Sequence, residues 1–236
     1  MNGHQKKELQ QRGQGLIEYA LLLLLVATGI ILILELMGVS VKSLYCQAAD
    51  SISGGGSCAA QVYCSDNFSS GLSGWNNSSG PWTEQNGQLC TFSTAATFNS
   101  CSQNMNANDY TVNLNGADLM QGNGYGVFFR VTNPGPSFNG YSFQYDTGWE
   151  GGSFIFRKWV NGVELATPIA VTQDNNFNWY NTSHNVQVVV KGNTFTAYVD
   201  GTPVTTVTDS TYATGSVGLR SWDSTQACFH NFTISP

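Results

Sequence analysis

Charged side chains are scarce in this sequence, where Asp, Glu, Lys and Arg together make up 10% of the 236 residues. From residue 66 onward there are eleven acidic residues and five basic ones, so this part carries the whole formal charge of −6. No cluster of Lys and Arg occurs along the chain. Because phosphate binding needs a clustered basic surface, nucleic acid is excluded as a partner. Gly, Asn, Ser and Thr are abundant instead, which is typical of extracellular β-rich proteins.

Cysteine is absent before residue 46, and no two of the six cysteines form the CxxC pair that zinc sites use. We therefore expect disulfides, which form in oxidising compartments. Because the first and last strands of a sandwich are commonly neighbours, the expected pairing includes a bond between them. The expected bonds are Cys46 with Cys58, Cys64 with Cys228, and Cys90 with Cys101.

One long apolar run, from Leu16 to Met37, stands near the amino terminus. At about 1.5 Å per residue, a helix over this run would span roughly 33 Å, enough to cross a bilayer. The basic residues before it, Lys6, Lys7 and Arg12, predict a cytoplasmic amino terminus and an exported remainder. A cleaved signal peptide fits poorly because its apolar region is shorter, about 7–15 residues. A permanent membrane anchor fits better, but it does not explain the carboxylate of Glu18 inside the run.

The residues around Glu18 offer an explanation. From Arg12 to Leu22 the sequence is Arg-Gly-Gln-Gly-Leu-Ile-Glu-Tyr-Ala-Leu-Leu, which resembles the processing site of type IV prepilins of the Flp, or tight-adherence, kind. The resemblance implies cleavage by a prepilin peptidase between Gly13 and Gln14, so that Glu18 becomes the fifth mature residue and Tyr19 the sixth. It covers residues 12 to about 45 and implies a leader over 1–13 and an apolar pilin helix over 14–45.

A role for Glu18 in filament assembly follows from this resemblance. An unpaired carboxylate among packed apolar helices is costly, and the new α-amino group at Gln14 of an adjacent subunit would neutralise it. The resemblance thus implies a homopolymer built by pilus assembly machinery, inserted in the inner membrane before assembly and extracellular afterwards. Flp pilins are usually little more than this helix, so the further 170 or so residues leave open whether the subunit is a major or a minor one.

After a Gly- and Ser-rich linker over residues 46–63, the chain from 64 to 236 has the pattern of short strands between turns. Turn pairs punctuate it at Asn86-Gly87, Asn139-Gly140, Asn161-Gly162, Gly192-Asn193 and Asp200-Gly201. Strands are predicted over 126–132, 141–145, 154–160, 163–170, 186–191, 194–199, 202–208, 215–220 and 228–234. Helical periodicity is absent from this part, and the strand spacing predicts an antiparallel sandwich.

Several segments resemble the concanavalin A-like, laminin G-like jelly rolls of extracellular carbohydrate-binding modules. The residues that carry the resemblance are Asp66–Phe68, Gly71–Trp75, Tyr125–Arg130, Val188–Phe195, Gly215–Arg220 and Phe229–Phe232. The expected fold class is therefore a long N-terminal α-helix plus an all-β antiparallel jelly-roll sandwich. The resemblance identifies a fold rather than a ligand, so the domain is either a structural coat of the filament or an adhesin that binds glycans.

Sugar sites present flat aromatic faces beside polar groups, and six aromatic residues are candidates: Trp149, Trp159, Trp179, Trp222, Tyr141 and Tyr145. Trp and Tyr also fill sandwich cores. A sugar-binding residue is therefore distinguished from a core residue by its place in an exposed loop. Trp149 lies next to Asp146 and a Gly-Gly turn and is the first choice for a carbohydrate platform. Arg130 and Gln144 are its expected polar partners.

An enzyme is not expected. Glycosidases need two carboxylates about 5–10 Å apart, and Asp146 with Glu150 or Glu164 would be the candidates. The Glu-x-Asp-x-x-Glu motif of the retaining jelly-roll glucanases is absent, so no catalytic residues are assigned. No dense acidic loop indicates calcium, the three histidines are scattered, and no cofactor is expected. The competing hypothesis is a membrane-anchored carbohydrate-binding protein or hydrolase that does not polymerise and is not cleaved after Gly13.

Overall fold

The computed structural model describes residues 18–26, 28 and 62–236. The chain divides into two units, Met1–Ala60 and Gln61–Pro236. In the first unit, residues 18–26 and 28 are helical, and the side chains of Glu18 and Tyr19 are exposed. Within the described residues, no helix has both the length and the apolar character needed to cross a membrane. The rest of the predicted pilin helix, the predicted cleavage site and two cysteines, Cys46 and Cys58, lie outside the described residues.

The second unit is a sandwich of two eight-stranded sheets, in which every strand pair is antiparallel. The strands of the first sheet are β1 (Cys64–Asp66), β3 (Thr83–Gln85), β4 (Gln88–Thr91), β6 (Tyr110–Gln121), β12 (Ser183–Lys191), β13 (Thr194–Val199), β14 (Thr202–Thr208) and β16 (Gln226–Ser235). The order across this sheet is β14-β13-β12-β6-β16-β4-β3, and β1 also pairs with β16.

The strands of the second sheet are β2 (Trp75–Ser79), β5 (Ala95–Asn99), β7 (Gly124–Thr132), β8 (Asn139–Asp146), β9 (Ser153–Val160), β10 (Val163–Glu164), β11 (Ala170–Gln173) and β15 (Ser216–Trp222). Their order is β10-β9-β8-β7-β15-β5-β2, and β11 also pairs with β9. A short 3-10 helix, Cys101–Asn104, follows β5. The all-β antiparallel jelly-roll sandwich predicted from the sequence is confirmed.

The core lies between the sheets and is formed by alternate residues of each strand. Phe129, Tyr141, Phe156 and Phe195 are each fully buried and pack around one another with ring centroids 4.9–6.4 Å apart. Burying a side chain of this size contributes roughly 1.5–3 kcal/mol. The neighbouring residues on the regular parts of these strands in the second sheet therefore point to its outer face.

Two details of the predicted strands are wrong. The single strand predicted over 163–170 is two strands, β10 and β11, which pair with different parts of β9. Pro168, which has no N–H to donate, lies in the break between them. The predicted Asn139-Gly140 turn is instead the beginning of β8, where Gly140 pairs with Trp159 of β9. The structure also contains strands that the sequence pattern did not predict, among them the central β6.

The disulfides also differ from the expected pairing, because Cys64 bonds to Cys101 and Cys90 bonds to Cys228. The expectation that the first and last strands are neighbours is confirmed, since β1 pairs with β16. However, Cys64 lies opposite Ile234, six residues beyond Cys228, which is about 20 Å along a strand at roughly 3.3 Å per residue. That distance is too long for a disulfide. Cys228 instead lies directly opposite Cys90 of β4, with the two Cα atoms 4.1 Å apart.

Candidate functional site

The outer face of the second sheet carries a group of charged and aromatic side chains that we call the outer-face cluster. Strand alternation brings them there, because β8, β9 and β15 bury their other residues in the core. The cluster consists of Gln144, Asp146, Trp149, Arg157, Trp159, Glu164, Arg220 and Trp222.

Glu164 is the charged centre of this cluster. Its carboxylate forms ion pairs with two guanidinium groups, since Arg157 Nε lies 2.9 Å from Oε1 and Arg220 Nη1 contacts Oε2. Both arginines are nearly buried, with side chains 4% and 10% exposed. Arg157 Nη1 also donates to the backbone carbonyl oxygen of Ala166, at 3.1 Å. One carboxylate therefore holds two buried cations in fixed positions.

A tight turn brings Glu164 to this position. The strands β9 and β10 are joined by Asn161 and Gly162, whose φ angles of 51° and 76° are those of a hairpin turn that Asn-Gly favours. Gly162 is required for a second reason. A Cβ atom at this residue would lie 1.9 Å from the carbonyl oxygen of Pro136. The predicted Asn161-Gly162 turn is thus confirmed, and it folds β10 back beside β9.

Tryptophan rings cover both guanidinium groups. The guanidinium carbon of Arg157 lies 4.3 Å from the Trp149 ring centroid. That of Arg220 lies 4.5 Å from the centroids of both Trp159 and Trp222. These distances are within the range of cation–π interactions. All three tryptophans are partly exposed, so the cluster presents aromatic surface together with fixed hydrogen-bonding groups.

Gln144 and Asp146 complete the polar part of the cluster. Gln144 Oε1 accepts a hydrogen bond from Arg220 Nη1 at 2.8 Å. Asp146 Oδ1 accepts one from the backbone N–H of Gly148 at 2.9 Å. Burial raises the pKa of Asp146, and the negative charge of Glu164 raises it further against the opposing effect of Arg157. Burial also lowers the pKa of Arg220 although Glu164 is paired with it.

A cavity of about 280 Å³ opens beside Arg220 on the same face. Phe128, Phe138 and Trp159 form its apolar wall, while Ser79 and Ser221 add hydroxyl groups. Its remaining lining residues are Ser78, Thr94, Ala95, Ala96, Pro136, Gly162 and Arg220. The cavity therefore continues the outer-face cluster toward β2 and β5.

Arg130, expected as a polar partner of Trp149, lies elsewhere. The pairing of β7 with β8 is irregular between Phe129 and Thr132, and Arg130 has a φ of 49°. This irregularity directs its side chain inward, where the guanidinium carbon lies 5.0 Å from the ring centroid of Phe195 in the core. Its guanidinium donates to the backbone carbonyl oxygens of Asn108, Gly192 and Tyr212. It therefore joins three loops inside the sandwich rather than lining a surface site.

The other aromatic candidates divide between core and surface. Trp179, Tyr141 and Tyr145 are at most 2% exposed and belong to the core, whereas Trp149, Trp159 and Trp222 belong to the outer-face cluster. Among residues 18–26, 28 and 62–236, no group of three or more His, Cys, Asp or Glu side chains is arranged to hold a metal ion. The carbohydrate role of Trp149, Gln144 and Asp146 stays a prediction, although the structure does bring these three residues into one cluster.

Sequence reasoning missed Arg157 and Arg220, the two cations of the cluster. A signal for them was present. Arg157 alternates with the apolar residues Phe154 and Phe156, and Arg220 follows Leu219 at the end of an apolar strand. The segments Arg157-Lys158-Trp159 and Arg220-Ser221-Trp222 share one pattern. In each, an arginine at an outward position of a strand comes two residues before a tryptophan.

Residues 66–235 match the sequence family described as "3-keto-alpha-glucoside-1,2-lyase-like domain". No curated protein matches the chain in sequence. Several solved structures share its fold. The carbohydrate-binding module CBM66 from Bacillus subtilis is 23% identical, with a TM-score of 0.57 over 69% of this chain and 96% of that one.

Two further structures are similar at lower identity. The β-glucanase of Bacillus licheniformis is 16% identical, with a TM-score of 0.53 over 73% of this chain and 97% of that one. The exoplasmic/lumenal domain of VIP36, in its Ca²⁺/Man3GlcNAc-bound form, is 12% identical, with a TM-score of 0.57 over 75% of this chain and 89% of that one. At these identities the likeness shows a shared jelly-roll fold.

Proposed function

Because the chain belongs to the 3-keto-alpha-glucoside-1,2-lyase-like domain family, we propose that residues 62–236 form an extracellular carbohydrate-binding domain. The binding surface is the outer-face cluster. The observation that carries the proposal is the arrangement of Arg157, Glu164 and Arg220 as one fixed ion network beneath three partly exposed tryptophan rings.

The chemistry of the cluster suits a sugar. A pyranose ring has an apolar face that packs on an aromatic ring and hydroxyl groups around its rim that need directed donors and acceptors. Trp149 and Trp222 offer the aromatic surface, and the carboxylate of Glu164 holds Arg157 and Arg220 as donors in fixed orientations. A buried ion network adds little to stability compared with apolar packing. Its presence on an outward face therefore favours a binding role.

Two further observations support the proposal. The similar structures include one named as a carbohydrate-binding module and one solved with Man3GlcNAc bound. The disulfides Cys64–Cys101 and Cys90–Cys228 favour an oxidising location outside the cytoplasm. An extracellular glycan ligand is consistent with that location.

Glycan-array binding of the full chain tests the proposal, with Trp149→Ala and Trp222→Ala as site variants. We expect wild-type binding to a restricted set of glycans and a loss of roughly fivefold or more in affinity in each variant, since stacking on an aromatic ring contributes about 1 kcal/mol or more. Phe92→Ala is the control, because Phe92 is an exposed aromatic residue outside the cluster. Equal binding by all four proteins, or no binding by wild type, would refute the proposal.

Glycan hydrolysis or elimination is a second candidate, favoured by the raised pKa of Asp146. A carboxyl group that holds its proton at higher pH is the kind of general acid that such reactions use. We propose binding without turnover, because Glu164, the other carboxylate of the cluster, is already engaged by two arginines. Release of reducing ends by wild-type protein, abolished in Asp146→Asn, would instead establish an enzyme.

For the amino-terminal unit we propose, from the sequence of residues 12–22, that the domain is displayed on a type IV pilus-like filament. Support for this comes from the order of a basic leader, Gly13, Glu18-Tyr19 and a long aliphatic run. N-terminal sequencing of the exported protein decides between this proposal and a membrane-anchored form. Gln14 as the first residue agrees with the filament, and an intact leader contradicts it.

A further inference from the structure

The cavity beside the outer-face cluster has one charged residue, Arg220, among the twelve residues that line it. The remaining lining is apolar or carries hydroxyl groups. The acidic residues of the cluster, Asp146 and Glu164, are not among the lining residues. A ligand that enters this cavity therefore meets a cation and no anion within the described lining.

The guanidinium of Arg220 also has donors to spare. Its hydrogen bonds to the described part of the chain both come from Nη1, which donates to Gln144 Oε1 and to Glu164 Oε2. Arginine carries five N–H donors in a planar fork. Within residues 62–236, Nε and Nη2 have no hydrogen-bond acceptor, although the residue is only 8% exposed. Neither Nε nor Nη2 is enclosed, so an acceptor that enters from solvent can reach this edge of the guanidinium.

The charge around Arg220 favours an anionic acceptor. Arg157 and Arg220 share one ion-paired carboxylate, that of Glu164. Burial lowers the pKa of Arg220 even though Glu164 and Asp146 both act to raise it. The loss of hydration at Arg220 thus outweighs the attraction of its two carboxylate neighbours, and an additional anion beside it would stabilise the charged guanidinium.

We infer that the cavity binds a sugar that bears a carboxylate, as a uronic acid does, with the carboxylate on the free edge of the Arg220 guanidinium. The inference rests on the proposed function and specifies its ligand. A guanidinium edge matches the two oxygens of a carboxylate with paired, parallel hydrogen bonds. The sugar ring lies against the part of Trp159 that stays exposed between Phe138 and Arg220. Ser79 is within the lining to bind its hydroxyl groups.

The size of the cavity agrees with this ligand. At about 280 Å³ it lies just below the roughly 300–1,000 Å³ of drug-sized ligand sites. One sugar ring fits such a space better than an extended oligosaccharide does. The specificity therefore resides in a single acidic sugar unit, and the rest of a longer chain would extend over the tryptophans of the outer-face cluster.

Matched pairs of ligands test the inference on the full wild-type chain. Methyl glucuronide is compared with methyl glucoside, and methyl galacturonide with methyl galactoside, by isothermal titration and by tryptophan fluorescence. We expect at least one acid to bind tenfold or more tightly than its neutral partner, with the preference weakening as salt is raised. Equal affinity for acid and neutral partners would overturn the inference but leave the proposed function intact. If neither these sugars nor any glycan on the array binds, the inference and the proposed function are both refuted.

The residue assignment is tested with Arg220→Gln and Arg220→Lys. Arg220→Gln removes the charge and should abolish the preference for the acid, whereas Arg220→Lys keeps the charge without the planar fork and should retain part of it. Lys191→Gln removes the same charge from an exposed position in β12 and should change nothing. An unchanged acid preference in folded Arg220→Gln overturns the assignment. If that variant does not fold, the comparison in wild-type protein still decides the inference.

Discussion

The Nζ atom of Lys158 lies 2.5 Å from Oδ2 of Asp209, which joins strand β9 to the loop after β14. Both side chains are mostly buried, at 17% and 16% exposure. The other carboxylate oxygen of Asp209 accepts a hydrogen bond from the Tyr141 hydroxyl at 2.6 Å. Burial, with Asp209 beside it, raises the pKa of Tyr141 to about 12, so the hydroxyl stays a donor over the usual pH range. The pair thus links the second sheet to an edge of the first.

The first prediction concerns the pH dependence of this link. Partial burial favours the neutral form of Asp209, but hydrogen bonds from Lys158, Tyr141 and Thr211 outweigh it and lower the pKa of Asp209 well below its usual value. A lowered carboxyl pKa stabilises the fold above the unfolded pKa of about 3.9, and this contribution is lost as the pH falls further. Asp209→Asn should therefore cost about 2 kcal/mol of unfolding free energy at pH 7, the strength of a charge-assisted hydrogen bond.

Urea denaturation at several pH values measures this effect. The difference between wild type and Asp209→Asn should be constant above about pH 5 and should shrink below about pH 4. Glu150→Gln is the control, since it removes a carboxylate of an exposed turn residue. A wild-type advantage that grew toward low pH would contradict the assignment of the lowered pKa to Asp209.

The second prediction concerns Arg130, which is 1% exposed. Arg130→Met keeps most of the side-chain volume but leaves three backbone carbonyl oxygens without their donor. These hydrogen bonds are partly buried, and hydrogen bonds to a charged group contribute about 1.5–3 kcal/mol. The variant should therefore lose at least about 1.5 kcal/mol of unfolding free energy. Lys191→Met, at an exposed position, should stay within about 0.5 kcal/mol of wild type. A loss below about 1 kcal/mol in chemical denaturation of Arg130→Met would show that water replaces the guanidinium.

The third prediction concerns the disulfides. Mass spectrometry of unreduced chymotryptic peptides should find Cys64 linked to Cys101 and Cys90 linked to Cys228. Chymotrypsin is used because it cuts after the aromatic residues that separate these cysteines, whereas no Lys or Arg lies between Lys42 and Arg130. Replacing Cys90 and Cys228 by alanine should cost more stability than replacing Cys64 and Cys101, because the bonds span 138 and 37 residues. By chain entropy the difference is about 1 kcal/mol. Detection of the Cys64–Cys228 peptide would contradict the pairing, and equal losses would show that strain or residual structure dominates.

The sequence predicts those features of the structure that neighbouring residues determine, and it fails for those that depend on contacts between distant parts of the chain. Strand alternation over Val186, Val188 and Val190 and turn chemistry at Asn161-Gly162 are local, and the structure has both where the sequence places them. Disulfide partners depend on strand order and register, which are not local. The expectation that β1 and β16 are neighbours was right, yet the register put Cys64 opposite Ile234 instead of Cys228.

The same reason limits prediction of the site. Trp149, Gln144 and Asp146 are close in sequence, and their grouping follows from β8 and the turn after it. Arg220 is 76 residues from Gln144, and they meet because β15 and β8 both pair with β7. Arg130 was expected as a polar partner of Trp149, but one irregularity in β7 turns its side chain toward the core. Sheet order and strand irregularities are set by tertiary packing, which a single sequence does not display.

The last prediction separates the structural and binding roles of Glu164. Glu164→Gln leaves two nearly buried guanidinium groups without their shared carboxylate, so we expect a loss of about 3 kcal/mol of unfolding free energy. The same change removes a negative charge that opposes an anionic ligand at Arg220. Affinity for methyl glucuronide should therefore increase several-fold relative to wild type, while affinity for methyl glucoside should stay the same or fall.

Stability and glucuronide affinity are expected to move in opposite directions if the ligand's carboxylate binds Arg220. Glu84→Gln, an exposed carboxylate on β3 of the first sheet, is the matched control and should change neither quantity by more than its error. Weaker binding of the glucuronide in a folded Glu164→Gln protein would contradict this prediction. It would mean that the ligand needs Glu164, either as an acceptor for its hydroxyl groups or to hold Arg220 in position.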